Sequence, residues 1–509
     1  MAIELLVEWS VLAAAAISPL RLCAKKNFWR MFPNYGYLLV GALTAYVVVV
    51  TALTIYAPTY LRPLAGIIGV ALIIVLWRGR AGYGKRRGLV PGSLALRPSL
   101  DSLFDHRFYE KQHHKHGPMF KISQFYRPMV CVTDLSRGLE LIRQNDLSLG
   151  PPLLIFDRFI PEGFIRNMSS DDHQVYRKIL KTLLSMDVVH NSEHRISSSF
   201  ASGIDHMAQE SRCTVGGIHP AKYLDDILYD VFLRIFFGVE SDTERGQRLR
   251  ELYTSLYAYG LAFYGQEVRT AVEEITEIVR SQINELAHAS PDESNPACFL
   301  DRLLKLYPEM SDDLTIIQNL IYVNRITRSD VGGLLNWIFK LLSDNPKWAQ
   351  RLGEEPLARD EGSWRQPETL AGRIVAETLR LEQSEYLCRK VLEDIHWQGF
   401  WIPKGWLVRV CPRDAHQNEA VFENPRAFNP DRFLGRHYGT SEYAPFGIGR
   451  HSCLGAQFAV TIGRIFVNEL GRHWKWTVVC DGPRELNSHH WNHWRPSPNF
   501  RVSFSPLSA

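Results

Sequence analysis

Cys453 stands in the stretch Phe446-Gly447-Ile448-Gly449-Arg450-His451-Ser452-Cys453-Leu454-Gly455. Glycines at 447, 449 and 455 surround it, and an apolar helical pattern begins at Ala456. Glycine permits turns that other residues resist and lets a flat ligand approach the backbone. A cysteine just ahead of a helix N-terminus can be held as a thiolate, because the dipole and inward N–H groups favour negative charge. The same residue could be a small core side chain. Spacing alone leaves both readings open.

Two further patterns lie upstream. Glu377-Thr378-Leu379-Arg380 places an acid and a base three apart, on one helix face. Phe428-Asn429-Pro430-Asp431-Arg432-Phe433 follows. With these, the cysteine segment resembles the haem-binding loop of the cytochrome P-450 family, Phe-x-x-Gly-x-Arg/His-x-Cys-x-Gly, with Phe446, Gly449, His451, Cys453 and Gly455 in register. Glu377 and Arg380 are similar to its Glu-x-x-Arg helix, and residues 428–433 to its Pro-x-Arg-Phe segment. The resemblance spans residues 89–509. It implies haem b with Cys453 as the iron ligand, donating electron density that favours O–O cleavage. It also implies a buried network of Glu377, Arg380 and Arg432 that locks the cysteine loop.

Haem propionates need cations. The resemblance implies three sources: His173 and Arg177 from a His-x-x-x-Arg helix, His451 two residues before the cysteine, and Arg389 from the strand after the Glu-x-x-Arg helix. His451 replaces the arginine of many relatives, so its contact depends on protonation.

One element departs from the family. The long helix over the haem usually carries Ala/Gly-Gly-x-Asp/Glu-Thr, whose acid and hydroxyl deliver protons during oxygen activation. Here Ile326-Thr327-Arg328-Ser329-Asp330-Val331 aligns there, so Ser329 takes the acid's place and Asp330 the threonine's. Either Asp330 with a hydroxyl from Ser329 or Thr327 forms an altered relay, or the enzyme acts on a pre-oxidised substrate. Retention of an acid and a hydroxyl favours the relay. Gly332-Gly333 costs about 1 kcal/mol each relative to alanine in mid-helix, consistent with close approach, a bulge or simple packing.

The elements that must position these residues are mainly helical, with small β-sheets. Val272, Ile275, Val279, Ile283 and Leu286 predict an amphipathic helix over 272–286. Ser311 with Asp312 and Asp313 predicts the cap of a helix to about Ser343, apolar on most faces and hence central. Pro367 and Glu368 predict the start of a helix through about Leu381. Strand-like runs occur at 118–122, 128–133, 391–410 and 498–504.

The first 88 residues read as an uncleaved membrane anchor, and 89–509 as one catalytic domain behind a stiff Pro91-Gly92 hinge. Residues 35–57 carry no charge and are long enough to span a bilayer as a helix. Segment 9–20 spans or lies in the interface, and 64–77 is a marginal further span. Basic clusters at Arg21–Arg30 and Arg78–Arg87 flank a hairpin, placing the catalytic body in the cytosol by the positive-inside rule. An endoplasmic-reticulum location follows from the resemblance.

Charge sharpens this. The chain has 58 basic and 54 acidic residues, a net +4. Ten of the basic and two of the acidic residues fall in 1–88, leaving a mildly acidic body. That excess reads as membrane topology and argues against nucleic acid. The apolar content of 46% and charged content of 22% exclude a disordered chain, a collagen and a polytopic carrier. Eight cysteines without a C-x-x-C pair argue against a disulfide framework or zinc ribbon.

The resemblance further implies an NADPH-dependent haemoprotein reductase, with Lys178, Lys181, Arg436 and Arg450 as candidate docking cations. It implies oxygen insertion into a hydrophobic small molecule. The sequence style is similar to fungal enzymes of secondary metabolism, with a terpenoid as candidate substrate. A haem-thiolate isomerase or dehydratase working without NADPH and a non-enzymatic haem sensor or membrane adaptor are the alternatives. His113, His114 and His116 read as a surface turn, not a metal site. His489, His490 and His493 with Trp491 and Trp494 read as a pocket wall, not a zinc site. The sequon Asn167-Met168-Ser169 should escape glycosylation on a cytosolic face.

Overall fold

The computed structural model describes residues 88–94, 101–102, 105–124, 127–151, 164–165, 168, 170–256, 266–288, 297–355, 364–382, 386–481, 486–487 and 494–506. The apolar segments 9–20, 35–57 and 64–77 lie outside them. So do Asn167 and Ser169 of the sequon, the three C-terminal histidines with Trp491, and the Arg450 side chain. Among the described residues, no helix is long and apolar enough to cross a membrane. They fall into two compact units.

The first unit comprises the described residues up to 133, with 140–155 and 388–410. Its helix α1 (Phe108–His116) leads into strand β1 (Met119–Gln124), which pairs antiparallel with β2 (Arg127–Val132). Strands β3 (Leu149–Gly150), β4 (Leu387–Val391) and β7 (Leu407–Val410) complete a sheet in the order β1-β2-β7-β4-β3. Strands β5 (Ile395–Trp397) and β6 (Phe400–Ile402) form a separate hairpin. Met129, Val130, Cys131 and Val132 are all fully buried, as expected where an inner strand is covered on both faces. The predicted run 391–410 is therefore three strands and a strand end. In α1, His113 Nδ1 lies 2.7 Å from Thr133 Oγ1, and His114 is exposed.

The second unit is helical. Its elements include α2 (Ser170–Leu183), α3 (Glu193–Cys213), α4 (Pro220–Phe237), α5 (Leu314–Asp344), α6 (Leu370–Leu381) and α7 (Ala456–His473). Helix α5 packs against α4, α6 and α7. It is buried over most of its circumference, which its apolar sequence anticipates. Its cap is Asp313, the last of the three predicted capping residues, whose Oδ1 accepts the Ile316 amide hydrogen. Tyr176 of α2 donates to the other Asp313 oxygen at 3.1 Å. Thr369, not Pro367 or Glu368, caps α6, accepting from Gly372. The helix predicted over 272–286 runs from Gln266 to His288.

Two short sheets follow α7. Strand β8 (Trp474–Cys480) pairs with β11 (Arg501–Pro506), and β9 (Leu486–Asn487) with β10 (Trp494–Arg495). The indole of Trp337, fully buried in α5, donates to the Trp494 carbonyl at 2.7 Å and so fastens β10 to the central helix.

Candidate active site

The acid and base on α6 are both completely buried. Arg380 donates through Nε to one Glu377 oxygen at 2.8 Å and through Nη2 to the other at 2.9 Å. Arg432 adds an Nε bond to Glu377 Oε1 at 2.9 Å, and the Asn429 amide donates to the same oxygen at 3.0 Å. The remaining guanidinium hydrogens reach carbonyls: Arg380 those of His416 and Pro425, Arg432 those of Glu423 and Ala427. A buried charge is tolerated only when so paired. The three residues predicted as a network are therefore brought together, and they pin the loop from 416 to 432 onto α6.

Aromatic burial continues the clamp toward the cysteine. Phe422, Phe433, Tyr438 and Tyr443 bury themselves with Ala376 of α6. Each such side chain contributes roughly 1.5–3 kcal/mol. The Tyr443 hydroxyl donates to the Ala376 carbonyl at 2.9 Å. Burial raises its pKa well above the usual phenol value, so it stays a neutral donor.

His416 is a member of this clamp that the sequence reading missed. It is fully buried, its Nε2 accepts the Ala444 amide hydrogen at 3.1 Å, and its Nδ1 faces the Arg380 carbonyl at 3.3 Å. Those neighbours require the hydrogen on Nδ1. Burial, and then the Arg380 charge, push its pKa down to about 3, so the imidazole is neutral.

From Ala444 the backbone enters the cysteine loop. Gly447 N donates to the Ala444 carbonyl at 3.1 Å, and Cys453 N donates to the Phe446 carbonyl at 2.9 Å. Gly447 has φ +71°, and a Cβ there would lie 2.7 Å from Leu387 Cδ2, so glycine is required. Gly449 also has positive φ, but a Cβ there or at Gly455 would meet nothing within 4 Å. The Phe446 ring packs edge-on against Trp364 at 5.0 Å.

Cys453 itself is exposed, three residues before α7. Arg177 of α2 donates through Nη2 to the Ser452 carbonyl at 2.7 Å and hydroxyl at 3.1 Å. Burial lowers the Arg177 pKa, and the negative charge of Cys453 partly restores it. His173 is buried on the same helix, and its ring lies 4.5 Å from that of His451, tilted by 44°. The structure thus gathers His173, Arg177 and His451 around the cysteine, with Arg177 turned to the loop backbone. Arg389 lies on β4 in the sheet unit and donates to the Cys388 carbonyl.

An accessible thiol, open glycine surfaces beside it and two imidazoles and a guanidinium at its edge fit a flat, anionic group with a metal centre. Cys453 would supply the thiolate. His173, Arg177 and His451 would supply donors for carboxylates.

On α5, Thr327, Ser329 and Asp330 are half-buried. Upstream, Tyr322 meets the Phe164 ring edge-on at 4.2 Å, and Asn319 Oδ1 accepts the Ile165 amide hydrogen. Arg328 is buried against the Tyr229 and Tyr253 rings and 3.5 Å from Asp225. Neither arginine contact on this segment, from Arg328 or from Arg495 to Ser329, was anticipated.

A family model described as Cytochrome P450 matches residues 333–504. The chain is 26% identical over 421 residues to taxane 10-beta-hydroxylase from Taxus cuspidata, covering 77% of this chain and 83% of that one. It is 24% identical over 393 residues to abscisic acid 8'-hydroxylase 1 from Arabidopsis thaliana, covering 73% and 81%. A cyanobacterial structure described as retinoic acid bound CYP120A1 superposes with a TM-score of 0.65 at 18% identity, over 82% of this chain and all of that one. A zebra fish cytochrome P450 with abiraterone superposes at 0.62 and 17% identity, over 79% of this chain and all of the other.

Proposed function

We propose that this chain, which belongs to the cytochrome P450 family and uses a cysteine-ligated haem iron, is a monooxygenase that hydroxylates an apolar small molecule, with Cys453 as the ligating residue. The observation that carries the reading is the exposed Cys453 thiol on a glycine-bounded loop clamped to the buried Glu377–Arg380–Arg432 network. The haem, when bound, supplies oxygen activation, which thiolate donation favours.

The chain's own residues do the rest. The Glu377 network and His416 hold the cysteine loop in one geometry, so the ligand is preorganised. Arg177 fixes the loop through Ser452, while His173 and His451 present donors to the propionates. Ser329, Asp330 and Thr327 provide the acid and hydroxyls for proton delivery from α5.

We also propose that residues 1–88 anchor the protein in the endoplasmic reticulum membrane, with 89–509 as the cytosolic catalytic body. An anchor gives access to membrane-dissolved substrates. Electrons would come from NADPH through a reductase docking on basic groups. Lys178 and Lys181 are exposed on α2 beside Arg177, and Arg436 is exposed with its guanidinium over Tyr438. Arg450 completes the proposed set. A terpenoid or another secondary metabolite, as in fungal enzymes, is the first substrate class to try. The similarity to hydroxylases named for taxanes and abscisic acid supports it.

The test is reconstitution with a reductase, NADPH and labelled oxygen against a panel of apolar precursors. One labelled oxygen atom in a hydroxylated product supports the reading. Turnover of a peroxide without NADPH, and no labelled product, would replace it with isomerase or dehydratase chemistry.

A further inference from the structure

Helical hydroxyls in this protein take one of two outlets, the backbone of their own helix or another side chain. Thr182, Thr254, Ser255, Thr276, Ser343 and Thr378 each donate to the carbonyl four residues back. That is the usual local outlet for a helical serine or threonine. Ser197 and Ser199 on α3 bond carboxylates instead, and Ser329 on α5 also departs from the backbone outlet. Among the described residues it makes no bond to the Arg325 carbonyl. Instead Arg495 Nη2 donates to the Ser329 hydroxyl oxygen at 3.3 Å and to the Ser329 carbonyl at 2.5 Å.

Strand β10 is built to bring that arginine there. Trp337 lies two turns after Ser329 on the same face of α5, and its indole holds the Trp494 carbonyl, next to Arg495. Between them Gly332 lies beside the guanidinium, where a Cβ would make an ordinary contact 3.9 Å from Arg495 Nη1.

We propose that Arg495 is a positioning residue for proton delivery, acting through Ser329. A serine oxygen has one hydrogen to give and two lone pairs. With the guanidinium occupying a lone pair, the hydroxyl hydrogen points away from Arg495 and is not consumed by the helix backbone. It is therefore available to a neighbouring acceptor. The adjacent fixed cation also favours the negative form left behind, making the hydroxyl a better donor. This supplies what the exchanged order of acid and hydroxyl takes away, a directed donor at position 329. The inference rests on the monooxygenase reading above.

The experiment compares wild type with Arg495→Ala, Arg495→Lys, Ser329→Ala and the double variant Arg495→Ala/Ser329→Ala, all as haem-loaded full-length protein. Two quantities are read: product formed per NADPH consumed, and the stretching frequency of carbon monoxide bound to the reduced haem, which needs no substrate. Arg495→Ala should lower coupling about tenfold and shift the stretch. Arg495→Lys should recover part of both. The double variant should be no worse coupled than Ser329→Ala, since Arg495 acts through that hydroxyl. Additive losses in the double variant, or an unchanged stretch and coupling in Arg495→Ala, would overturn the proposal. Should wild type consume no NADPH, the monooxygenase reading falls, and an unshifted stretch in Arg495→Ala then overturns the Arg495 assignment separately. If Arg495→Ala does not accumulate, Arg495→Lys and Ser329→Ala carry the same comparison.

Discussion

His416 and Ala444 are joined by a 3.1 Å bond from the Ala444 amide to the imidazole Nε2, and that bond couples the cysteine loop to the Arg380 end of α6. The imidazole is buried and its pKa is pushed down to about 3, against about 6.5 in the unfolded chain. A depressed base means the unfolded state binds the proton first. The stabilisation is therefore complete above pH 6.5 and lost as pH falls from there toward 3, by up to about 1.4 kcal/mol per pH unit. In urea unfolding between pH 7 and 5, His416→Gln should show a shallower acid slope than wild type. Removal of the imidazole bridge should also cost about 1–3 kcal/mol at pH 7. Identical slopes would remove His416 from the account.

Glu377 neutralises two buried guanidinium groups. Glu377→Ala leaves both without their counter-charge and should destabilise by about 3–5 kcal/mol. The expected result is little soluble haem protein, with Glu377→Asp intermediate because it cannot span both Arg380 bonds. A Glu377→Ala protein within about 1 kcal/mol of wild type would contradict the clamp.

Arg177 holds the residue next to the ligand through two bonds to Ser452. Arg177→Gln should lose haem to an apo-globin acceptor about tenfold faster, reflecting the loss of a charge-assisted contact. Equal loss rates would show that the contact does not support haem retention.

Asp330→Asn keeps shape and removes the acid. It should slow oxygen-dependent turnover and raise NADPH consumption without product, by about tenfold or more. Unchanged coupling would take Asp330 out of proton delivery and leave Ser329 and Thr327 to carry it.

Local chemistry made much of this readable in advance. Glu377, Arg380, Arg432 and Cys453 each sit in a short motif, and the structure brings the first three together as the motif implied. Helix α5 was legible from its apolar length, and its cap is the Asp313 of the predicted Ser311, Asp312 and Asp313, because that side chain reaches the amide three residues on. His416 and Arg495 were not legible. Each is an isolated residue whose partners lie 28 and 36, or 166, positions away, and backbone amides and carbonyls leave no mark on sequence spacing. Arg177 was identified, but its bond to the Ser452 backbone was not, for the same reason.

The central claim is that Cys453 gives its thiolate to a haem iron. The most direct measurement is the carbon monoxide difference spectrum of the reduced protein, taken on wild type and Cys453→Ala. Wild type should show the thiolate-type band and Cys453→Ala should lack it. A wild-type spectrum without that band, or a Cys453→Ala spectrum that retains it, would contradict the account.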